Sequence, residues 1–251
     1  MCNQGRKTAC IYLLNGLQNL NVKGFEVKES NGRLELKFDS RPVFWERFVS
    51  DLVRDKVVLD LDAASKLSKV DNKVVYAVYN LWKFVDDYKN KSVLCDLTLL
   101  RHGIFSLECN GELFGTYGHV HEKRYGEFYK AIKNDCFLIL VDHRIRKTYM
   151  VELKEGKSFL VRHNFMHKLI AKDKDCLVAG FTLPGTGHDY EVVKGRGFPF
   201  HLFKLDGEIV PVANPKYKNY KIEVKKNNSK LDAEKLFFKD IRKLIHLLKV
   251  I

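Results

Sequence analysis

One short stretch decides the fold: Gly118-His119-Val120-His121-Glu122-Lys123-Arg124-Tyr125-Gly126-Glu127-Phe128-Tyr129. It predicts two strands joined by a polar bend over 122–126, which ends in glycine. His119 and His121 lie two residues apart, so on a strand both imidazoles project from the same face, and Glu127 and Tyr129 repeat that spacing. Two imidazoles and a carboxylate that face one cavity form a divalent-metal site with room for a fourth protein ligand.

The region around this stretch predicts the fold class. Short apolar runs alternate with Gly, Asn or Asp-Lys turns and predict strands over 96–100, 112–117, 127–132, 136–141, 148–153, 158–162, 167–171, 176–183 and 199–205. Many short, evenly spaced strands with no helix between them indicate an antiparallel sandwich or barrel. The fold class is therefore predicted to be all-β.

The flanking segments add a hairpin and helices. Residues 25–38 alternate apolar and polar side chains around Asn-Gly, which is a strong hairpin signal. Apolar residues at helical spacing predict a helix over 43–53, and residues 74–82 are rich in strand formers. A long amphipathic helix is predicted over 231–250, with an apolar stripe formed by Phe237, Ile241, Leu244 and Leu248.

Composition places the chain among cytoplasmic globular proteins. With 251 residues, of which 45% are hydrophobic, it can bury a sizeable core, and no apolar run is long enough to span a bilayer. Near the amino terminus Asn15 interrupts a short apolar run, so no signal peptide is expected. The six cysteines form no CxxC pair and are interpreted as reduced thiols.

The net charge of +13 indicates attraction to anions such as nucleic acid, acidic lipid or a phosphorylated metabolite. Residues 216–251 contain eleven Lys or Arg against four Asp or Glu, so over half of the excess lies in this segment, where a solvated basic face is the simplest interpretation. Eight of the nine histidines lie between 102 and 201, a clustering that favours a functional site.

Several motifs together resemble the cupin-type glucose-6-phosphate isomerases of archaea. They occur in the order and nearly the spacing of that family: Val74-Val75-Tyr76-Ala77-Val78-Tyr79, Asp96-Leu97-Thr98-Leu99-Leu100, Glu112-Leu113-Phe114-Gly115-Thr116-Tyr117-Gly118-His119-Val120-His121, Gly187-His188-Asp189-Tyr190, Gly197-Phe198-Pro199 and Asn214-Pro215-Lys216-Tyr217. Order and spacing across several motifs are far more specific than any one motif. The resemblance covers residues 24–218, which leaves 1–23 as an amino-terminal extension and 219–251 as a basic helical extension.

The resemblance implies a cupin double-stranded β-helix barrel and a set of site residues. The implied metal ligands are His119, His121, Glu127 and His167. The implied contacts to a sugar phosphate come from Tyr76, Thr98, Thr116, Gly118 and Tyr190. Glu127, Tyr129 and His188 are the implied catalytic residues, with Glu127 as the proton shuttle.

The chain departs from the family pattern close to the fourth ligand. The segment before His167 is Arg162-His163-Asn164-Phe165-Met166. Lys168 follows His167 at a position where the family usually has arginine. His163 therefore remains a rival ligand. A metal-bound carboxylate is also a weaker base, so a hydride shift or a metal-bound hydroxide stays open beside proton transfer by Glu127.

The predicted function is metal-dependent interconversion of glucose 6-phosphate and fructose 6-phosphate, an aldose–ketose isomerisation of glycolysis and gluconeogenesis. The alternatives are another sugar-phosphate cupin, such as a mannose 6-phosphate isomerase or an epimerase, and a non-catalytic cupin that binds sugar or nucleic acid. The expected cofactor is one divalent ion per chain, and iron, manganese, nickel, cobalt and zinc all suit three imidazoles and a carboxylate. The expected partners are the sugar phosphate and a second copy in a homodimer, with no membrane and no nucleic acid.

Overall fold

The computed structural model describes residues 20–22, 24–89 and 92–250. The predicted amino-terminal extension and the expected absence of a signal peptide therefore lie almost entirely outside the described residues. The strands are β1 (Leu20–Val22), β2 (Phe25–Ser30), β3 (Arg33–Phe38), β4 (Phe44–Phe48), β5 (Val74–Tyr79), β6 (Leu94–Leu100), β7 (Gly111–Glu112), β8 (Val120–His121), β9 (Glu127–Lys133), β10 (Cys136–Asp142), β11 (Lys147–Leu153), β12 (Ser158–Val161), β13 (Met166–Ala171), β14 (Cys176–Thr182), β15 (His188–Asp189), β16 (Phe200–Leu205), β17 (Glu208–Ala213) and β18 (Lys221–Lys225). The helices are α1 (Val49–Arg54), α2 (Leu61–Val70), α3 (Leu81–Phe84), α4 (Ala233–Lys239) and α5 (Ile241–Lys249), with a 3-10 turn at Asp86–Tyr88.

Two large sheets carry the fold. The six-stranded sheet has the order β12-β9-β14-β6-β5-β4, and the four-stranded sheet has the order β13-β10-β11-β18. Pairing in both is antiparallel except between β11 and β18, which run parallel. The all-β class is confirmed. The sheets remain separate instead of closing into one barrel, since the segments between them pair mainly through single bridges such as Gly115 with Ile170.

The six-stranded sheet is buried on both faces, which explains why its central strands read as continuous apolar runs. Every residue of β14 is buried. Val178 belongs to the core between the large sheets, whereas the neighbouring Leu177 belongs to a second core on the outer face. Alternate side chains of a strand point to opposite faces, so one strand serves both cores. The amino-terminal hairpin and helices α3 to α5 cover the outer face.

The structure corrects the prediction of one helix over 43–53. Phe44–Phe48 forms strand β4, and only Val49–Arg54 is helical. The strand is stabilised by aromatic packing, because the Phe44 ring stacks on Tyr79 of β5 at 5.2 Å between centroids. Aromatic residues favour strands when a partner strand is available, and local periodicity carries no information about that partner.

The carboxy-terminal segment folds onto the outer core. The predicted single helix is wrong in one respect: it is interrupted at Asp240, whose carboxylate accepts the Lys243 N–H at 3.1 Å and begins α5. Of the predicted stripe, Phe237, Leu244 and Leu248 are buried. No helix among residues 20–22, 24–89 and 92–250 is long and apolar enough to cross a bilayer.

The cysteines differ from the expectation at one position. Cys95, Cys136 and Cys176 are buried free thiols, as predicted. Cys109 is disulfide-bonded, so the interpretation of all six cysteines as reduced thiols is wrong at that residue. The other cysteines, Cys2 and Cys10, lie outside the described residues.

Candidate active site

Strand pairing brings four imidazoles to one place. His119 pairs with His167, through N–H···O=C bonds of 3.1 and 2.9 Å between their backbones. His121 pairs with His188 across β8 and β15. Directly paired residues share a face, as do residues two apart on one strand, so the His-x-His spacing and the two pairings together collect the four rings. The His119 ring lies 4.3 Å from that of His167 and 4.0 Å from that of His188, centroid to centroid.

Glu127, the first residue of β9, places its carboxylate among these rings. Its Oε2 lies 3.2 Å from Nε2 of His121, 3.3 Å from Nε2 of His167 and 3.7 Å from Nε2 of His119. Burial alone would raise the pKa of Glu127, but the imidazoles outweigh that effect and hold its pKa well below the usual value. Burial, reinforced by His167, keeps the pKa of His119 well below its usual value. The site therefore contains an ionised carboxylate beside at least one neutral imidazole.

The other ring nitrogens fix the orientation of two imidazoles. Nδ1 of His121 lies 2.7 Å from the Tyr125 carbonyl oxygen, and Nδ1 of His167 lies 2.9 Å from that of Phe165. A carbonyl only accepts, so in the neutral rings the proton resides on Nδ1 and the lone pair of Nε2 faces Glu127. A lone pair and a carboxylate oxygen at this distance repel each other unless a cation lies between them. When a proton takes the place of that cation on Nε2, the ring donates to Glu127, and this is the arrangement in which the imidazoles lower the pKa of the carboxylate.

This arrangement fits a metal ion. Two atoms that each lie about 2.1 Å from one ion are about 3.0–3.4 Å apart for angles between octahedral and tetrahedral, which matches the Nε2 to Oε2 distances of His121 and His167. Among the residues that the structure describes, Nε2 of His119 has no hydrogen-bond partner, although it is buried. One ligand atom from each of His119, His121, Glu127 and His188 also lies within 4.8 Å of the others. This set contains His188 and leaves out His167, whereas Oε2 of Glu127 is within 3.7 Å of Nε2 of each of the three predicted histidine ligands, His119, His121 and His167.

His163, the rival ligand, lies in the turn between β12 and β13. His167, the second residue of β13 and four residues after His163, is fully buried and faces Glu127. The pairing of His119 with His167 favours His167, because it fixes which residue of the returning strand lies opposite the His-x-His motif.

A cavity of about 380 Å³ opens beside the cluster. Its volume is in the range of small-ligand sites. All of the residues implied as sugar-phosphate contacts line it, namely Tyr76, Thr98, Thr116, Gly118 and Tyr190. It is also lined by His119, Glu127, Tyr129 and His188. The cavity and the cluster therefore form one continuous site.

Thr116 and Gly118 form one wall of the cavity through backbone geometry. The Thr116 hydroxyl accepts the Leu169 N–H at 3.0 Å, which leaves its own O–H able to donate to a ligand. Gly118 has φ of +83°, and a Cβ there would lie 2.4 Å from the Phe198 ring. Only glycine fits this position, because both the conformation and the space exclude a side chain.

The tyrosines present hydroxyl groups whose protons are held tightly. The Tyr76 hydroxyl accepts the Tyr117 N–H at 3.4 Å, and the Tyr190 hydroxyl lies 3.4 Å from Nδ1 of His188. Burial raises the pKa of Tyr76 and of Tyr190, and burial together with Glu127 raises that of Tyr129 well above its usual value. These groups are therefore hydrogen-bond donors at neutral pH.

Sequence reasoning missed the wall opposite the cluster. Its residues are Trp45, Asn80, Lys83 and Asp96. Burial raises the pKa of Asp96 to about 6, although hydrogen bonds from Asn80 and Trp82 oppose the shift. A charged residue inside the apolar strand Leu94–Leu100 was the available signal for Asp96. Trp45 carried no signal, since it was assigned to a helix.

Comparison with known proteins decides the family. The sequence model described as Glucose-6-phosphate isomerase (GPI) matches residues 47–218, more than half of the chain. The chain belongs to this family. The resemblance to the cupin-type glucose-6-phosphate isomerases is thereby confirmed, and the chain is an isomerase.

Relatives that carry the family name have low sequence identity to this chain, but the matched segments cover most of each relative. A glucose-6-phosphate isomerase of Thermococcus litoralis is 25% identical over 162 residues, which cover 64% of this chain and 81% of the relative. Those of Pyrococcus horikoshii and Thermococcus onnurineus are 25% and 27% identical, cover 64% of this chain and span 82% and 81% of their own lengths. The match thus includes most of each relative.

Solved structures show weaker likeness. An oxalate oxidase has a TM-score of 0.35 at 15% identity and covers 46% of this chain and 54% of its own. A Bacillus subtilis oxalate decarboxylase has a TM-score of 0.31 at 13% identity and covers 45% of this chain and 25% of its own. At TM-scores this low, these likenesses add nothing to the assignment.

Proposed function

We propose that the protein interconverts glucose 6-phosphate and fructose 6-phosphate with the help of one divalent metal ion. The observation that carries the proposal is the convergence of His119, His121 and His167 on one oxygen of Glu127, at the end of a cavity large enough for a sugar phosphate. The name of the matching family supplies the substrate pair.

The metal would be held by His119, His121, Glu127 and His167, with His188 beside them. When bound, it supplies positive charge to the two substrate oxygens at C1 and C2, which is worth several kcal/mol as negative charge develops there. Any of iron, manganese, nickel, cobalt and zinc suits this ligand set. The buried imidazoles are already oriented by carbonyl groups, so little reorganisation is needed on binding.

The phosphate is assigned to the wall formed by Thr116 and Gly118, with Thr98 and Tyr76 beside it. The Thr116 hydroxyl has its acceptor side occupied by Leu169 and can donate to a phosphate oxygen. The Tyr76 hydroxyl has its acceptor side occupied by Tyr117 and can donate in the same way. Hydroxyl and backbone N–H donors can hold a phosphate dianion without a dedicated basic loop.

Glu127 is the proposed proton shuttle. Its Oε2 faces the imidazoles, whereas its Oε1 lies over Gly180, where an added Cβ would be only 2.7 Å away. Oε1 is thus the atom placed to take the proton from C2 of the open-chain aldose and return it to C1. The hydride shift remains the competing route, in which the hydrogen moves directly between the carbons and Glu127 only binds.

His188, Tyr190 and Tyr129 complete the proposed machinery. Burial lowers the pKa of His188, so the ring is neutral at neutral pH and can exchange a proton with a substrate hydroxyl. The Tyr190 hydroxyl near its Nδ1 orients it. Tyr129 packs beside His167 at 5.8 Å between centroids and limits water near Glu127.

A coupled assay tests the proposal directly. Purified full-length protein is given fructose 6-phosphate, glucose 6-phosphate formation is followed, and the assay is repeated after chelation and after adding back each metal. We expect activity that chelator abolishes and at least one metal restores. A mannose 6-phosphate arm distinguishes the alternative isomerase. Activity that is unaffected by complete metal removal would overturn the metal dependence, and absence of turnover with every metal would overturn the reaction.

A further inference from the structure

Asp96 and the proposed metal ligands are separated by a gap on one face of the six-stranded sheet, where Gly180 has no side chain. In the register of the six-stranded sheet, Asp96 of β6 pairs with Gly180 of β14, and Gly180 pairs with Tyr129 of β9. Paired residues share a face, so the side chains of Asp96 and Tyr129 rise on either side of a residue that has none. Two strand spacings separate them, about 10 Å. This gap is part of the cavity floor.

The gap cannot hold a larger residue. A Cβ at position 180 would lie 2.7 Å from Oε1 of Glu127 and 3.4 Å from the Tyr129 ring. Glycine therefore keeps the space open between the proposed proton shuttle on one wall and Asp96 on the other. A sugar phosphate bound with C1 and C2 at Glu127, as proposed above, would have room for its remaining hydroxyls in this space.

The Asp96 carboxylate is oriented for a ligand. Asn80 donates its Nδ2–H at 2.8 Å and Trp82 its Nε1–H at 3.1 Å, both to Oδ1. Within the part of the chain that the structure describes, these bonds use Oδ1 alone. An ionised carboxylate accepts hydrogen bonds on both oxygens, so the lone pairs of Oδ2 are left for a donor inside the cavity. Since the pKa of Asp96 is about 6, the group is largely ionised at neutral pH.

The nearby cation does not replace such a donor. Lys83 is exposed, and its ammonium lies over the Trp82 ring at 4.8 Å from the centroid. Asp96 is thus a cavity carboxylate held by two neutral donors, and a partly buried charge is stabilised by further hydrogen bonds. Sugar hydroxyl groups are donors of the required kind.

We propose that Asp96 is a specificity-determining residue that accepts a hydrogen bond, through Oδ2, from a non-reacting hydroxyl of the sugar phosphate. The inference rests on the proposed function, because it takes C1 and C2 as the end that faces Glu127. Asn80 and Trp82 are positioning residues, since they act on the substrate only through Oδ1 of Asp96.

The test pairs substitutions at Asp96 with removal of single substrate hydroxyls. Wild type, Asp96→Asn and Asp96→Ala are assayed with glucose 6-phosphate and with its 3-deoxy and 4-deoxy forms, whose missing hydroxyls do not react. Binding of glucitol 6-phosphate and its matching deoxy forms is measured by calorimetry, which needs no turnover. Asp86→Asn, on the exposed turn beside α3, is the control with the same change of charge.

We expect one deoxy form to lose about 10- to 100-fold in affinity and in kcat/KM with wild type, as for a hydrogen bond to a charged group. Asp96→Ala should raise KM for glucose 6-phosphate by a similar factor with little change in kcat, and should no longer distinguish that deoxy form. Asp96→Asn, which preserves shape, should show a reduced penalty even if Asp96→Ala folds poorly. Trp82→Phe should weaken the discrimination by a smaller factor.

The outcomes separate the inference from the proposed function. Equal deoxy penalties in wild type and Asp96→Asn, in a protein that isomerises glucose 6-phosphate, would overturn the role of Asp96 alone. A wild-type protein that neither binds nor isomerises glucose 6-phosphate with any metal would overturn both. A selective loss of discrimination in the Asp96 variants, absent from Asp86→Asn, supports the role.

Discussion

The two walls of the cavity differ in how the sequence encodes them. The metal-facing wall is built from one continuous stretch, 119–129, completed by His167 and His188 through strand pairing. The opposite wall takes Trp45 from β4, Asn80 from the end of β5 and Asp96 from β6. Residue types at a fixed spacing reveal the first wall, whereas only sheet order brings the second together. The candidate metal ligands can therefore be predicted from sequence spacing, whereas the residues of the opposite wall are brought together only by the strand order.

The sharpest way to break the comparison is to remove a ligand from the metal-facing wall. His121→Ala should abolish metal binding and lower kcat/KM by about 10³-fold or more, because the charge stabilisation supplied by the metal is worth several kcal/mol. Metal content per chain and the coupled assay are the measurements. The far-ultraviolet circular dichroism should be unchanged, since both cores lie outside the cluster.

His163→Ala is the matched control, because His163 lies in the turn before the strand that carries His167. It should retain metal and activity, whereas His167→Ala should lose both. The reverse ranking would mean that the returning strand contributes the other histidine.

The next effect separates catalysis from binding on the same wall. Glu127→Gln should keep some metal through the three imidazoles and still bind substrate, while kcat falls by about 10²–10⁴-fold, the usual worth of general acid–base catalysis. Steady-state kinetics measure the separate effects on kcat and KM, and metal analysis measures the metal content of the variant.

Solvent deuterium distinguishes the two routes open to Glu127. Proton transfer through an enediol lets deuterium from the solvent enter the product, whereas a hydride shift carries the hydrogen across internally. Substantial turnover by Glu127→Gln, with no deuterium in the wild-type product, would remove Glu127 as the base.

Sequence reasoning predicted most of the elements that have a local pattern and missed those that depend on contacts between distant segments. The strands with clear alternation or apolar runs, such as those beginning at Glu127 and Cys136, were predicted within a residue or two. Strand β4 and the break at Asp240 were not, because the first depends on stacking against Tyr79 and the second on a local cap. The sequence assigned no function to Asp96, although it begins one of the family motifs. The pairing of Asp96 with Gly180, which leaves space beside its side chain, is visible only in the structure.

Helix α5 links the outer core to the metal-facing wall. The Gly126 N–H donates to the Leu248 carbonyl at 2.8 Å, within the bend that also orients His121. Leu248→Ala should lower the free energy of unfolding by about 2–5 kcal/mol, because the side chain is fully buried. The exposed Val250→Ala should change it by less than about 0.5 kcal/mol. Denaturant titration measures both, and equal stabilities would contradict the packing.

The predicted homodimer and the separate status of 219–251 stay predictions. Sedimentation of the full chain and of a chain cut after Tyr220 tests both. The cut should lower solubility or change the mass of the oligomer, because it uncovers the apolar groups that α4 and α5 bury on the sheet. An unchanged mass together with an unchanged melting temperature would argue for a free basic tail.

A further expected effect is a pH dependence of stability that arises from Asp96 on the opposite wall. Because burial raises the folded-state pKa of Asp96 from 3.8 to about 6, the folded chain binds more protons than the unfolded chain between these values. Stability therefore falls as pH rises through this window, by at most about 3 kcal/mol for a shift of about two units. Asp96→Asn lacks the titration, while Lys83, Glu127 and Tyr129, which line the same cavity, are common to both proteins and largely cancel in the difference. In chelated protein, the stability of Asp96→Asn relative to wild type should accordingly rise by about 1–3 kcal/mol between pH 4 and pH 7 and level off above pH 7. Denaturant titrations across that range measure it, and a flat difference would show that Asp96 is as well solvated in the folded chain as in the unfolded one.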